Sequence, residues 1–246
     1  MDRMIYLAMT GAKNLLDRLA VTSNNLANAG ASGYRAETQG FRAVYVQSDT
    51  LPTRTFGIES TSGADFSPGP VSATGRQLDV AIEGKGWIAV QLTDGSEAYT
   101  RNGSLQIDEN GVLQTRDGFN VSGGAGPITI PAGNQVTIGE DGTITAVPTT
   151  TLLNQTSPIG RIKLVNPDEA DLERGADGLF RLRGGGEADV DPKVKLTARS
   201  LEGSNVNVSQ TLVEMITAAR QFDTQMKLIQ SADSNAQEAT KLYSMS

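Results

Sequence analysis

The chain has 246 residues, a net charge of −7, and no cysteine or histidine. This composition excludes disulfides, catalysis by a thiolate or an imidazole, and zinc or haem sites built from those ligands. Carboxylates number 28 against 21 Lys and Arg, which argues against a nucleic-acid partner because phosphate binding needs a basic surface. We therefore expect no cofactor, no metal site and no catalytic residue.

The N-terminus does not have the pattern of a cleaved secretory signal. The first residues, MDRM, are not followed by a continuous apolar segment and a small-residue cleavage site. No run of 18 apolar residues occurs, so we predict no membrane-spanning helix. If the protein leaves the cytoplasm, its export route must recognise a segment that is not cleaved.

Residues 1–35 are predicted to form an N-terminal helix with a heptad seam, a row of positions spaced alternately three and four residues apart. The seam consists of Ile5, Ala8, Ala12, Leu15, Leu19, Thr22 and Leu26. Gly11 weakens the helix by about 1 kcal/mol relative to alanine. Asn28 and Gly30 are typical of a helix C-terminus.

Residues 36–74 differ in composition from the segments on either side. They contain Pro52, Pro68 and Pro70 and many Ser, Thr and Gly residues. We predict an extended connector with room for a short hairpin, although the composition also permits a disordered linker.

Residues 75–200 are predicted to form an all-β domain, because short alternating runs are separated by turn sequences. The segments 108–111 (DENG) and 139–142 (GEDG) are typical of hairpin turns. The first of these resembles part of a calcium loop but lacks the glutamate that ends such a loop. Glu187, Asp189 and Asp191 could form a catalytic carboxylate pair, but they follow three glycines and we interpret them as a solvated loop.

Residues 201–246 are predicted to form a long C-terminal helix. Its seam is Leu212, Met215, Ala219, Phe222, Met226, Ile229, Asp233, Ala236, Thr240 and Tyr243, with interruptions only at Asp233 and Thr240. Asn207 is a suitable N-cap, with Gln210 three residues later. A helix on the order of 50 Å long needs another helix to cover its apolar side.

The predicted fold class is therefore α+β, with the two terminal helices pairing as a coiled coil and the β domain inserted between them. The seams could instead pack on other subunits, and heptad spacing does not choose between these arrangements. The run SNNLAN at 23–28 has two interpretations as well. Its amides either cap the helix end or bond across a packed interface and fix its register.

Several segments together resemble the flagellar rod and hook proteins. They are SNNLAN at 23–28, SGY at 32–34, LDVAIEGKGW at 78–87, YTRNG at 99–103, GVL at 111–113 and LEGSNVN at 201–207. These motifs occur in order over nearly the whole chain. The residues assigned to the family signature are Asn24, Asn25, Leu26, Ala27, Asn28, Gly33, Tyr34, Gly203, Ser204 and Asn205.

The resemblance implies a structural subunit of the flagellar basal body and not an enzyme. The N-terminal residues and the length are most similar to proximal-rod members; a distal-rod member, or a β-rich periplasmic binding or adhesion module with coiled-coil ends, is the alternative. The resemblance also implies export by the flagellar type III apparatus, and helical assembly in the periplasm with copies of itself and other rod proteins inside a surrounding ring. The terminal helices would form the inner coiled-coil layer and the β domain the outer layer. On this basis we expect subunit packing through Ile5, Ala8, Ala12, Leu15, Leu19, Leu26, Leu212, Met215, Ala219, Phe222, Met226 and Ile229.

Overall fold

The computed structural model describes residues 2–45, 55–124, 126–148 and 157–244. Two helices lie near the ends of the chain, α1 (Asp2–Ala27) and α2 (Val208–Ser244). The strands between them, in chain order, are β1 (Glu37–Tyr45), β2 (Thr55–Ala64), β3 (Val71–Ala73), β4 (Val80–Glu83), β5 (Trp87–Gln91), β6 (Glu97–Thr100), β7 (Leu105–Ile107), β8 (Leu113–Thr115), β9 (Asn120–Gly123), β10 (Gly126–Pro127), β11 (Asn134–Ile138), β12 (Thr143–Pro148), β13 (Ser157–Arg161), β14 (Leu164–Val165), β15 (Leu172–Arg174), β16 (Phe180–Leu182), β17 (Lys195–Ala198) and β18 (Ser200–Glu202). The predicted α+β class is confirmed.

The chain divides into two compact units. The helical unit comprises Met1–Asn28, Glu37–Asp65 and Val206–Ser246, and the β unit comprises Ala29–Ala36 and Phe66–Asn205. Within the described residues, no helix combines the length and apolar character needed to cross a bilayer.

In the helical unit, α1 lies against α2 and also contacts strands β1 and β2. These two strands form an antiparallel hairpin in which Glu37 is opposite Ala64 and Tyr45 is opposite Thr55. The register shifts at Gly40, which marks a β-bulge. The predicted connector therefore contains strands of nine and ten residues, longer than the short hairpin expected. Pro52 lies outside the described residues.

The β unit is built from antiparallel pairs. The strand order of its largest sheet is β15-β16-β6-β5-β9-β8-β7, with β10 added to β9 and β14 added to β5. The described residues also form a three-stranded sheet, β11-β12-β13, and the pairs β17-β4 and β18-β3. The core they enclose is aliphatic and includes Val80, Ile82, Ile88, Val90, Leu105, Leu113, Val121, Ile144, Leu164 and Leu196.

Both predicted hairpin turns are confirmed. Across the turn at 139–142, Ile138 pairs with Ile144, as the alternation on either side indicated. At 108–111, Oδ1 of Asp108 accepts hydrogen bonds from the backbone N–H groups of Asn110 at 2.9 Å and Val112 at 2.7 Å. This carboxylate organises the turn, which accounts for its presence there without calcium.

Candidate assembly site: helix faces and a buried ion triad

On α1, the predicted seam lies on the covered side of the helix. Ala12 and Thr22 are buried, and the other five seam positions are half-buried. Gly11 lies on the side that faces α2, because a Cβ added there would be 3.4 Å from Cδ of Gln225. The α1 seam is thus available to pair with α2 inside one chain.

On α2, the covered positions form a heptad row that differs from the predicted one. Among the described side chains of α2, this row consists of Thr211, Met215, Ala218, Phe222, Gln225, Ile229 and Ala232, and Glu214 outside the row is also half-buried. The predicted seam shares Met215, Phe222 and Ile229 with this row. Its other three packing positions, Leu212, Ala219 and Met226, are exposed in the single chain.

Exposed large hydrophobic side chains are concentrated on the two helices. Among the described residues twelve such side chains are exposed, and all but Val71, Ile107 and Val190 are helical. The helical ones are Tyr6, Met9, Leu16, Val208, Leu212, Val213, Ile216, Met226 and Leu228. Exposed large hydrophobic side chains grouped in this way on two helices are typical of an interaction site.

Asn25 fastens the end of α1 to the start of β1. Its Nδ2 donates to the carbonyl of Glu37 at 2.9 Å, and its Oδ1 accepts the N–H of the same residue at 2.7 Å. Nδ2 of Asn28 instead donates to the carbonyl oxygen and to Oδ1 of Asn24, at 3.0 and 2.8 Å. Asn24 and Asn28 therefore cap the helix end, whereas Asn25 fixes the helix against the hairpin.

The N-terminus of α2 is capped as predicted. The backbone N–H of Gln210 donates to Oδ1 of Asn207 at 3.1 Å. The side chain of Gln210 does not complete a capping box, because its Nε2 donates forward to Glu214 at 3.0 Å.

Within the β unit, three charged residues form a buried ion triad. One carboxylate oxygen of Glu202 lies 2.8 Å from Nη2 of Arg35, and the other lies 2.9 Å from Nη1 of Arg101. The three side chains are between 0% and 5% exposed. The backbone N–H of Gly69 also donates to Glu202, at 2.9 Å. These residues are far apart in sequence, so the triad ties distant segments together.

The triad contains two cations and one anion. Burial lowers the pKa of the Arg101 guanidinium, the nearby Glu202 carboxylate opposes this change, and the charge of Arg35 adds to it. Arg101 also donates to the carbonyl of Gly84 at 2.6 Å and lies 5.5 Å from the centre of the Trp87 ring. Glu202 is consequently the anion on which both buried guanidinium groups depend.

The family-signature residues of the β unit surround this triad. Gly33, at a φ of 68°, donates its N–H to the carbonyl of Glu202 at 2.8 Å. A Cβ on Gly33 would overlap the backbone of Arg101. Gly203 donates its N–H to the carbonyl of Pro70 at 2.8 Å, and Ser204 is buried. Only glycine accommodates both this backbone conformation and this close approach at position 33.

Tyr34 and Asn205 complete the connection between segments 29–36 and 201–205. Oδ1 of Asn205 accepts the N–H of Ala36 at 2.7 Å, and its Nδ2 donates to the carbonyl of Ser67 at 3.0 Å. The guanidinium of Arg174 lies 4.5 Å from the centre of the Tyr34 ring. The two motifs that flank the helices in sequence thus converge within the β unit.

Arg35, Arg101 and Glu202 were not among the site residues predicted from sequence. Arg101 and Glu202 lie inside the YTRNG and LEGSNVN motifs, and Arg35 directly follows SGY. A charged residue inside or directly after each of these three motifs was the available signal.

Comparison with known proteins matches three family models along the chain. "Flagella basal body rod protein" matches residues 5–35, "Flagellar hook protein FlgE/F/G D1 domain" matches 81–146, and "Flagellar basal body rod FlgEFG protein C-terminal" matches 197–242. The motifs that meet at the ion triad fall within or beside these regions.

Curated relatives match over the whole length. The chain is 47% identical to the flagellar basal-body rod protein FlgF of Escherichia coli strain K12, with 100% of both chains covered. It is 44% identical to FlgF of Salmonella typhimurium strain LT2, again over 100% of both. FlgG of Bacillus subtilis strain 168 is 30% identical, with 98% of this chain and 99% of the relative covered. This chain therefore belongs to the flagellar basal-body rod protein family and is a structural subunit of the rod.

Proposed function

We propose that this chain is a proximal-rod subunit, which polymerises helically with copies of itself and with other rod proteins into the shaft that transmits torque from motor to hook. The FlgF proteins of Escherichia coli and Salmonella typhimurium are 47% and 44% identical to this chain, more than the 30% of FlgG from Bacillus subtilis, which supports the proximal assignment. Membership of this family supports a structural role and not a catalytic one.

The exposed apolar faces of α1 and α2 carry this proposal. Each helix covers one side in the single chain and leaves a second side with large hydrophobic residues in solvent. Surface of this kind is unfavourable in a monomer and becomes favourable when a neighbour covers it. Contacts between different faces of identical subunits do not close on themselves and so generate an open helical polymer.

We also propose how each part of the chain is placed in the layers of the rod. Residues 1–35 and 201–246 would supply the inner coiled-coil layer, residues 75–200 the outer layer, and residues 36–74 the connector between them. The helical unit contains Met1–Asn28 and Val206–Ser246, which supports the helical part of this arrangement, whereas residues 29–36 and 201–205 belong to the β unit. The twelve packing residues predicted from sequence would contribute to the inner layer, those on the covered sides within the subunit and Leu212, Ala219 and Met226 toward neighbours.

Export is part of the proposal. The chain would pass unfolded through the flagellar type III apparatus without a cleaved signal and assemble in the periplasmic part of the basal body, inside its surrounding ring. The absence of cysteine supports this route, because no disulfide can form a covalent loop in an oxidising compartment.

The test compares the same substitution on two exposed valines, Val213→Glu on α2 and Val190→Glu on the β unit. Val213→Glu should abolish swimming and the incorporation of the subunit into basal bodies, because it buries a charge in the subunit contact. Val190→Glu should leave both unchanged. Circular dichroism of the purified variants checks that each retains its helix content.

Normal swimming with Val213→Glu at wild-type incorporation would contradict the assignment of this face. A closed, stable soluble oligomer of the wild-type protein would favour the alternative of a binding module with coiled-coil ends.

A further inference from the structure

The chain contains six places where glycine follows an Asn or Asp residue. Two are Asn-Gly, at 102–103 and 110–111, and four are Asp-Gly, at 94–95, 117–118, 141–142 and 177–178. At such pairs the glycine amide nitrogen can attack the side-chain carbonyl carbon and close a five-membered succinimide ring. Glycine favours this attack because it has no Cβ to hinder the approach and its backbone rotates freely.

Asn110 is placed for this reaction in an exposed hairpin turn between β7 and β8. Its side chain is exposed, and its Nδ2 makes a 3.2 Å hydrogen bond to Asp108. The N–H of Gly111 donates to the carbonyl of Asp108 at 3.1 Å. The side-chain amide of Asn110 and the N–H of Gly111, which are the two reacting groups, therefore both donate to Asp108 in the same turn, and a local rearrangement around Asp108 releases both.

Asn102 is also followed by glycine, but both the oxygen and the nitrogen of its side-chain amide are hydrogen-bonded. Its Oδ1 accepts the N–H of Ser104 at 3.1 Å, and its Nδ2 donates to Asp117 at 2.8 Å. Gly103 is buried, and even a Cβ on it would overlap the carbonyl oxygen of Val80. Rotating the Gly103 nitrogen toward the Asn102 side chain would disturb the packed core.

The Asp-Gly pairs are protected by the charge of the carboxylate, which repels a nucleophile. Hydrogen bonds from Ser96 lower the pKa of Asp94, those from Thr143 lower the pKa of Asp141, and that from Arg181 lowers the pKa of Asp177. These groups therefore stay ionised near neutral pH. Asp117 accepts the hydrogen bond from Asn102.

We propose that Asn110 is the principal site of spontaneous deamidation in the folded protein. The nitrogen of Gly111 forms a bond to Cγ of Asn110, the Cγ–Nδ2 bond breaks, and ammonia leaves with the proton of the Gly111 amide. Water then opens the succinimide at either carbonyl and yields aspartate or isoaspartate. No oxidant or reductant is needed.

The isoaspartate product lengthens the backbone of the turn. It inserts one methylene between residues 110 and 111, which moves the Gly111 nitrogen away from the Asp108 carbonyl. The carbonyl of Gly111 also accepts the N–H of Ile130 at 2.7 Å, and a Cβ on Gly111 would lie 2.6 Å from the Ile130 oxygen. The β7-β8 hairpin should therefore dock less well on residues 128–130 after modification.

The test incubates the full-length protein at mildly alkaline pH, both folded and in urea, and follows each Asn-Gly peptide by mass spectrometry. In the folded protein, Asn110 should convert several-fold faster than Asn102, with isoaspartate among the products. In urea the two sites should convert at similar rates, because each is then an unstructured Asn-Gly pair. Asn110→Gln, whose longer side chain closes a larger ring more slowly, should remove the fast conversion.

Conversion of Asn102 in the folded protein at the rate of Asn110 would overturn the proposal. So would a folded sample in which Asn110 remains an amide after both sites in urea have converted.

Discussion

At the scale of single residues, Glu202 is the buried carboxylate that pairs with both Arg35 and Arg101. Glu202→Gln keeps the size of the side chain but leaves two buried guanidinium groups without an anion. Removing one partner of a buried pair typically costs about 3–5 kcal/mol. Urea unfolding followed by the fluorescence of Trp87, the single tryptophan and a buried residue of this unit, should show that loss.

The matched control for this substitution is Glu173→Gln, which neutralises an exposed carboxylate on β15. It should change the free energy of unfolding by less than about 1 kcal/mol. Equal effects of the two substitutions would contradict the role given to the triad.

Gly33 provides a second prediction at this scale. Gly33→Ala forces a Cβ into the backbone of Arg101 at a φ of 68°, so it should destabilise the β unit by more than about 1 kcal/mol. Gly30→Ala, three residues earlier, is the control, since a Cβ there has no atom within 4 Å. Thermal unfolding of both variants distinguishes them, and a Gly33→Ala protein as stable as Gly30→Ala would show that this close approach is not required.

Sequence alone predicted the signature residues but not the contacts that they make. Asn25 was expected either to cap the helix or to bond across an interface, whereas its amide bonds both backbone groups of Glu37. That partner is set by the path of residues 28–36, and spacing within a helix carries no information about this path. The ion triad was missed for the same reason, because its members are brought together only by the folded sheets.

At the scale of elements, Gly11 offers a test of the α1–α2 pair. Gly11→Ala should stabilise α1 by about 1 kcal/mol, because alanine has the higher helix propensity. The new Cβ would make an ordinary 3.4 Å contact with the flexible end of Gln225. Helix content followed by circular dichroism during thermal unfolding should show a higher midpoint, and a lower one would mean that the helices lie too close for a methyl group.

The terminal helices and the hairpin turns were predictable because periodicity and turn chemistry are local properties. The row of covered positions on α2 was predicted only in part, because the apolar pattern favoured Leu212 and Met226 over Thr211 and Gln225. Thr211 tolerates the covered position because its hydroxyl donates to the carbonyl of Asn207 at 2.8 Å. A helix with two apolar sides thus has more than one acceptable seam, and only the partner helix selects between them.

At the scale of the whole molecule, the α+β order and the structural role followed from the succession of motifs along the chain. The division into two units did not follow from the motifs, because residues 29–36 belong to the β unit although they come directly after the first helix. Spatial convergence of segments separated by more than a hundred residues has no signature in a single sequence. The packing of both helices on neighbouring subunits stays a prediction of the proposed function.

The most direct test of that prediction uses the absence of cysteine, which makes an engineered thiol unique in the chain. Val213→Cys and Val190→Cys place it on the exposed face of α2 and on the β unit. In the soluble subunit both should react readily with a maleimide. In purified basal bodies Val213→Cys should be protected while Val190→Cys still reacts, and equal labelling of Val213→Cys in the two states would contradict burial of this face on assembly.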